Sequence, residues 1–117
     1  MHRYKELKVW QKAIDLAVEV YRVTEKLPSE ERFGLISQIN RCAISIPSNI
    51  AEGAGRNTNK DFNHFLGVSL GSSFELDTQM IISNRLGYVN NDDFEIIEKE
   101  LEHIQNMIVK LKQNLNV

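Results

Sequence analysis

The stretch Ala43-Ile-Ser-Ile-Pro-Ser-Asn-Ile-Ala-Glu-Gly-Ala-Gly-Arg56 decides the fold, because it combines a helical repeat with a proline. Apolar side chains recur at spacings of three and four from Ile36 to Ala54, which is the pattern of one buried helix face. Pro47 removes a helix hydrogen bond but leaves this repeat in phase on both sides. The stretch therefore predicts one long helix that bends near Pro47, and not a loop.

A row of polar residues lies opposite the apolar face, within an arc of roughly 100°. The row comprises Gln38, Arg41, Ser45, Ser48, Asn49, Glu52 and Arg56. Serine and asparagine are poor residues for a helix interior, and a solvated face normally carries more charge. We therefore interpret the row, together with Pro47 and Gly53, as a structural or subunit-interface motif. An exposed face and a ligand contact are the alternatives.

Three further amphipathic segments give an all-α chain. The first helix is predicted from about Leu7 to Lys26, and the second from a cap at Ser29 to about Ala54. The third is predicted from a cap at Thr58, over Asn59 to Leu86, and the fourth from the caps of Asn90-Asn91-Asp92 onward. Gly53 and Gly55 are expected to end the second helix, and Gly87 the third. Short connections between long helices predict an up-down-up-down antiparallel four-helix bundle that forms one domain over residues 1–117.

The apolar arcs of the first and third helices are wider than one side of a bundle requires. Excess apolar surface of this kind indicates burial against a second partner, within the chain or in another subunit. The third helix is expected to be deeply buried, with a neighbouring backbone close to Gly67 and Gly71. The fourth carries a heptad seam of apolar residues from Phe94 to Leu115, and its charged residues are expected on the outside: Glu95, Glu98, Lys99, Glu100 and Glu102.

The composition is that of a soluble globular domain, with 117 residues, 42% apolar and 26% charged residues, and a net charge of −2. Cys42 is the only cysteine, which favours a reducing compartment. No segment has the length and apolar character of a signal peptide or membrane span. We expect a cytoplasmic protein that does not engage the membrane.

The net charge hides a gradient along the chain. Residues 1–28 carry six Lys or Arg and four Asp or Glu, whereas residues 89–117 carry three Lys and six Asp or Glu. A polyanion would have to meet the first segment and avoid the last. The candidate nucleic-acid contacts are Arg3, Lys5, Lys8, Lys12, Arg22 and Lys26.

The sequence gives little support for catalysis or metal binding. The three histidines have no paired spacing, and Glu100-x-x-His103 occurs once where a bundle di-metal site needs two copies. Ser45 and Ser48 have no histidine within helical reach, and Cys42 flanks the apolar face. Gly53-Ala-Gly-Arg56 follows a helix end that repels anions. We therefore predict no catalytic residue, no metal and no cofactor.

The run Ser45-Ile-Pro-Ser-Asn-Ile-Ala-Glu-Gly-Ala-Gly-Arg56 resembles the signature of the four-helix bundle proteins encoded within intervening sequences of bacterial 23S rRNA genes. The resemblance covers nearly the whole chain. It includes Leu7-x-Val-Trp-Gln11, Leu27-Pro28, Glu31, Gln38-Ile-x-Arg41, Phe62-x-x-Phe65-Leu66, Gly71-Ser72, Glu75-Leu76 and Leu86-Gly-Tyr88. Phe33 departs from a frequent tyrosine, and Phe74 interrupts the usual Ser-Leu-x-Glu-Leu pattern.

The resemblance implies a bundle that assembles into a ring-shaped homopentamer. The family is similar to the accessory protein of diversity-generating retroelements, which works with a reverse transcriptase and nucleic acid. Neither the family nor the accessory protein offers catalytic residues that could be assigned to this chain. Our leading hypothesis is a non-enzymatic homo-oligomer that binds RNA or a nucleic-acid-processing protein, and the alternative is a protein-interaction scaffold with no nucleic-acid role.

Overall fold

The chain forms a bundle of four α-helices in a computed structural model that describes residues 1–117. The helices are α1 (Lys8–Thr24), α2 (Leu35–Ala54), α3 (Asn59–Arg85) and α4 (Asn91–Asn114), with short 3-10 helices at Tyr4–Glu6 and Ser29–Glu31. Each helix packs on the next, and α1 also packs on α4, whereas α1 and α3 do not touch. The two therefore occupy diagonally opposite corners, and the predicted up-down-up-down four-helix bundle is confirmed.

All four helices contribute to one hydrophobic core of 23 buried residues. The α4 seam supplies Ile97, Leu101, Ile104 and Ile108, and α2 supplies its apolar repeat of Ile39, Ala43, Ile46 and Ile50. These positions match the spacings of three and four in the sequence, because residues at that spacing share one side of a helix. The predicted core faces of α2 and α4 are confirmed.

The second helix begins later than the sequence predicted. Ser29 does not cap it, but opens a 3-10 helix in which the Arg32 N–H donates to the Ser29 carbonyl at 3.1 Å. The chain then turns at Gly34, whose φ of −111° and ψ of −104° are not helical, and α2 starts at Leu35. Residues 30–34 lack an apolar face that could pack on the core, and the Phe33 side chain is 91% exposed.

Helix α2 continues through Pro47 without a break. Because Pro47 has no N–H, the helix loses one backbone hydrogen bond there. Side-chain donors supplement the bonds nearby, since Ser69 Oγ on α3 donates to the Ile46 carbonyl at 2.8 Å and Asn49 Nδ2 donates to the Ser45 carbonyl at 2.8 Å. Continuity of the helix is confirmed, and the bend stays a prediction.

Both predicted side-chain caps of the last two helices are present. The Thr58 hydroxyl accepts the Asp61 N–H at 3.1 Å, and the Asn90 side chain accepts the Asp93 N–H at 2.8 Å. Each cap satisfies an amide that the first turn leaves free. Gly87 follows α3 with a φ of +81°, a conformation that favours glycine.

Helix α3 buries Phe62, Leu66, Leu76 and Met80 in the core, but it also buries serine hydroxyls and exposes apolar side chains. Its buried polar residues are Ser69, Ser72, Ser73 and Ser83, and its exposed apolar residues are Val68, Phe74 and Ile82. The prediction that α3 is deeply buried is therefore wrong for its outer side. Three neighbouring helices would be needed to cover it, and the chain provides two.

The expected close approach of a backbone to Gly67 and Gly71 is also absent. A Cβ at Gly71 would have no neighbour within 4 Å, and one at Gly67 would meet only Lys112 Nζ, at 3.4 Å. Within the single chain, nothing compensates for the cost of these helical glycines, which is about 1 kcal/mol each relative to alanine.

No helix of the chain combines the length and the apolar character that crossing a membrane requires.

Candidate functional site

The half-buried part of the α2 polar row bonds within the chain. Ser45 Oγ lies 2.7 Å from Ser72 Oγ on α3, and Asn49 Nδ2 donates to Ser45 Oγ at 2.9 Å. These bonds join α2 to α3 next to Pro47, where the helix needs support. Ser45 and Asn49 therefore have a structural role inside the subunit, and their use between subunits stays a prediction.

The remaining residues of the row lie on the surface. Arg41 and Ser48 are exposed, and the Glu52 carboxylate pairs with the Arg56 guanidinium at 2.7 Å. The Arg56 guanidinium also lies 4.8 Å from the centroid of the Phe65 ring. This arrangement attaches the last turn of α2 to the first turns of α3, and it leaves Arg41 and Ser48 available to a partner.

Gly53 is a packing residue and does not end the helix. It is buried within α2, and a Cβ there would lie 2.7 Å from Phe65 Cβ and 2.9 Å from Phe62 Cδ1. The prediction that Gly53 ends α2 is therefore wrong, because the helix closes only at Gly55, whose N–H donates to the Ala51 carbonyl. Glycine at position 53 lets α2 and α3 approach closely, about two helical turns after the contact of Ser45 with Ser72.

The fold converts the charge gradient of the sequence into a gradient along the bundle. We divide the molecule at the level of Leu16, Ser48, Ser69 and Leu101. The half that contains the start of α1 carries eight Lys or Arg and five Asp or Glu, which gives a net charge of +3. The other half carries six Lys or Arg and eleven Asp or Glu, which gives a net charge of −5. The bases of the first half, which we name the positive half, are Arg3, Lys5, Lys8, Lys12, Arg56, Lys60, Lys110 and Lys112.

The six candidate nucleic-acid contacts are divided between the two halves. Arg3, Lys5, Lys8 and Lys12 lie in the positive half and are exposed. Arg22 and Lys26 lie in the other half, where Arg22 pairs with Glu19 at 3.5 Å and Lys26 with Asp93 at 2.9 Å. The hydrogen bond and charge of Asp93 raise the pKa of Lys26. Lys60 at the start of α3 and Lys110 near the end of α4 lie in the same half as the first four, and Lys110 lines one cleft with Lys8.

Two outward apolar faces have no partner in the chain. The α1 face consists of Ile14, Val18 and Tyr21, and the α3 face consists of Val68, Phe74 and Ile82 around Gly71. The six apolar side chains are between 37% and 53% exposed. Because α1 and α3 sit at opposite corners, these faces lie on different sides of the molecule. Exposed apolar side chains that share one side of a helix make these two faces the candidate interaction surfaces of the chain.

A pair of carboxyl groups between α3 and α4 was missed by the sequence interpretation, which placed Glu98 on the outside. Asp77 Oδ1 and Glu98 Oε2 are buried, and neither atom has a hydrogen-bond partner. Burial, followed by the neighbouring Asp77 carboxyl and the charge of Glu102, raises the pKa of Glu98 to about 8. The Glu98 carboxyl is therefore mainly protonated at neutral pH. The signal in the sequence was the position of Glu98 directly after the seam residue Ile97.

The cavity at this pair is small, and no serine, cysteine, lysine or histidine lines it. It measures about 260 Å³ and is lined by Asp77, Glu98, Leu101, Glu102 and Gln105. Ligand sites usually occupy about 300–1,000 Å³. We therefore assign the carboxyl pair to the packing of α3 against α4.

Other reactive groups are also separate from one another. Cys42 is buried, and burial together with the charge of Glu75 raises the pKa of its thiol, which keeps the sulfur protonated and unreactive. No group of three or more His, Cys, Asp or Glu side chains is arranged to hold a metal ion. His103 is exposed beside Glu100 and has no second ligand pair opposite.

The four packed helices and their shared core define a helical bundle protein. The family model of the 23S rRNA-intervening sequence protein matches residues 5–110. The chain therefore belongs to that family, as the signature from Ser45 to Arg56 predicted.

A solved structure supports the same fold. It is a protein of unknown function from the S23 ribosomal protein family of Bacteroides thetaiotaomicron, with 24% identity and a TM-score of 0.83. The match covers 89% of this chain and 97% of that one. No curated protein is significantly similar to the chain.

Proposed function

We propose that the protein is a non-enzymatic helical bundle that assembles with copies of itself. The observation that carries the proposal is the outer side of α3, where Val68, Phe74 and Ile82 are exposed although the same helix buries four serines beside its core residues. Exposing such side chains to water is unfavourable by about 25 cal/mol per Å² of apolar surface. Three apolar side chains on the outer side of a helix that already has a core face are better explained by a protein contact than by solvent.

The number of copies in this proposal comes from the family resemblance, which implies a ring of five. The proposed location is the cytoplasm, for which the lone, reduced Cys42 is the support. Catalysis is not part of the proposal, because the three groups with shifted pKa values, Lys26, Cys42 and Glu98, each interact with a different neighbour and do not converge on one site.

Self-assembly predicts a solution mass well above that of one chain. We expect size-exclusion chromatography with light scattering at micromolar concentration to give a multiple of 13.5 kDa, and five copies if the resemblance holds. A mass of one chain across the whole concentration range would contradict the proposal.

RNA binding is the second candidate function, and the charge division along the bundle favours it. Positive charge is concentrated in one half while the other half repels polyanions. Assembly would repeat the positive half in every copy, so that weak single contacts add together. The proposed contacts are Arg3, Lys5, Lys8 and Lys12, with Lys60 and Lys110 beside them.

A matched pair of charge reversals tests the RNA hypothesis. We expect Lys5→Glu with Lys8→Glu to weaken binding of intervening-sequence RNA about tenfold or more and to reduce its salt dependence, because fewer counterions are released. Arg32→Glu with Lys99→Glu changes the net charge equally in the other half and should leave binding intact. Electrophoretic shifts at several salt concentrations measure both variants. Equal binding by the two variants, or no binding at low salt, would favour the scaffold with no nucleic-acid role.

A further inference from the structure

We infer that the cleft between the start of α1 and the end of α4 binds a small aliphatic anion, an alkyl chain with a negatively charged head group. The cleft measures about 330 Å³, which lies within the usual size of ligand sites, about 300–1,000 Å³. None of its lining residues belongs to the α1 face or the α3 face, so the inference does not depend on the proposed self-assembly.

The walls of the cleft are aliphatic. Val9 is buried, whereas Leu7, Met107 and Leu111 are half-buried and pack against the core. Met107 and Leu111 are four residues apart, so they are neighbours on one side of α4. No aromatic ring lines the cleft. It therefore offers an alkyl chain contacts along its length, but it gives a flat ring no stacking partner.

Two unpaired lysines flank these walls. Lys8 and Lys110 are exposed, and neither takes part in any of the four ion pairs of the chain. No carboxylate lines the cleft, and Glu6, the acid nearest to Lys8 in the sequence, pairs with Arg3 at 3.6 Å. Both ammonium groups are therefore free to neutralise an anionic head group, and the Asn114 amide in the same cleft can donate a further hydrogen bond.

A second cleft between α1 and α4 shows what distinguishes the first. It has nearly the same volume, about 350 Å³, but only two of its six lining residues are apolar. Its charged residues are Asp15, Glu19 and Glu100, with Lys12 as the single base. Three carboxylates repel an anion, and one lysine does not balance them. An aliphatic anion should therefore enter the first cleft and avoid the second.

Nuclear magnetic resonance of the methionine methyl groups locates the bound anion. The chain has three methionines, of which Met107 lines the cleft and Met80 is fully buried in the core. When sodium decanoate is added, we expect the Met107 resonance to shift and saturate while the Met80 resonance stays in place. Octanoate, which is two methylenes shorter, should bind more weakly by up to about fourfold for each methylene. A Met107 resonance that does not shift would overturn the inference.

The sign of the head group tests the two lysines. Decyltrimethylammonium has the same chain as decanoate and a positive head group, and we expect it to bind about tenfold more weakly. Lys8→Ala with Lys110→Ala removes both ammonium groups and leaves the aliphatic walls, so this variant should bind the two compounds equally. Isothermal titration calorimetry measures each affinity. Equal affinities of the wild-type protein for the two compounds would contradict the inference.

A matched pair of substitutions compares the two clefts. Met107→Glu places a carboxylate in the first cleft and should abolish the binding of decanoate. Ile96→Glu places the same group in the second cleft and should leave the binding unchanged. Circular dichroism checks that each variant is helical, and if Met107→Glu does not fold, the variant of Lys8 and Lys110, which alters only exposed side chains, decides the question. Equal decanoate binding by the two folded glutamate variants would assign the anion to another surface and overturn the inference.

Discussion

Replacing Gly53 with alanine is expected to destabilise the protein by about 2 kcal/mol, since overpacking a filled core costs about 1–3 kcal/mol. The new Cβ would lie 2.7 Å from Phe65 Cβ and 2.9 Å from Phe62 Cδ1, so α2 and α3 would have to move apart. For a chain of this size the loss corresponds to a fall in Tm of about 8 °C. Thermal denaturation followed by circular dichroism, at one fixed protein concentration, measures it.

Gly55→Ala is the matched control for this prediction. It adds the same methyl group two residues later, where the nearest atoms are the Ala51 and Glu52 carbonyl oxygens at 3.7 Å. Gly55 has a φ of −80°, which alanine adopts readily. We expect a Tm at or slightly above that of the wild type. Equal melting points for the two variants would contradict the tight packing at Gly53.

Glu98→Gln is expected to stabilise the protein at high pH and to leave it nearly unchanged at pH 5. The pKa of Glu98 is raised from 4.5 to about 8 in the folded chain. Between those two values the folded state holds a proton that the unfolded state has lost, so the free energy of unfolding falls as the pH rises. Above pH 8 Glu98 is ionised in both states, and the loss of stability caused by its buried charge no longer changes with pH.

Glutamine removes this loss of stability because its amide donates a hydrogen bond to Asp77 at every pH. Glu98 is partly exposed and water screens the repulsion, so we expect a gain of about 1 kcal/mol at pH 9. Glu95→Gln, which removes one exposed charge from the same helix, is the control and should not alter the pH dependence. Urea denaturation from pH 5 to pH 9 measures all three proteins. If stability changes with pH equally in wild type and Glu98→Gln, the raised pKa of Glu98 is refuted.

The apolar repeats were sufficient to predict the bundle and two of its caps. Their success depends on local rules, since Thr58 and Asn90 bond to amides three residues away and the α4 seam needs only one helix to be recognised. The start of α2 was misplaced because Ser29 is as good a cap in isolation as any other serine. What excluded it was the missing apolar face between residues 30 and 34.

The candidate site depended on contacts between helices, which periodicity does not reveal. In the sequence, Gly53 and Gly55 look equally suited to end α2. Only the positions of Phe62 and Phe65 on α3 show that Gly53 is a packing residue and that Gly55 ends the helix. The partner of Glu98 lies 21 residues earlier in the chain, on another helix. The positive half likewise joins Lys60 and Lys110 to the N-terminal bases only after the chain has folded back on itself.

The separation of charge has a consequence for how the molecule moves before it binds anything. The net charges of +3 and −5 belong to opposite halves of a body whose longest dimension is 43 Å. Each chain is therefore a permanent electric dipole whose moment lies along the bundle axis. In the field of a highly charged surface such a body rotates during diffusion and arrives with one end first. In a ring of parallel copies the moments point the same way and add, so the two rims of the assembly would meet opposite kinds of partner.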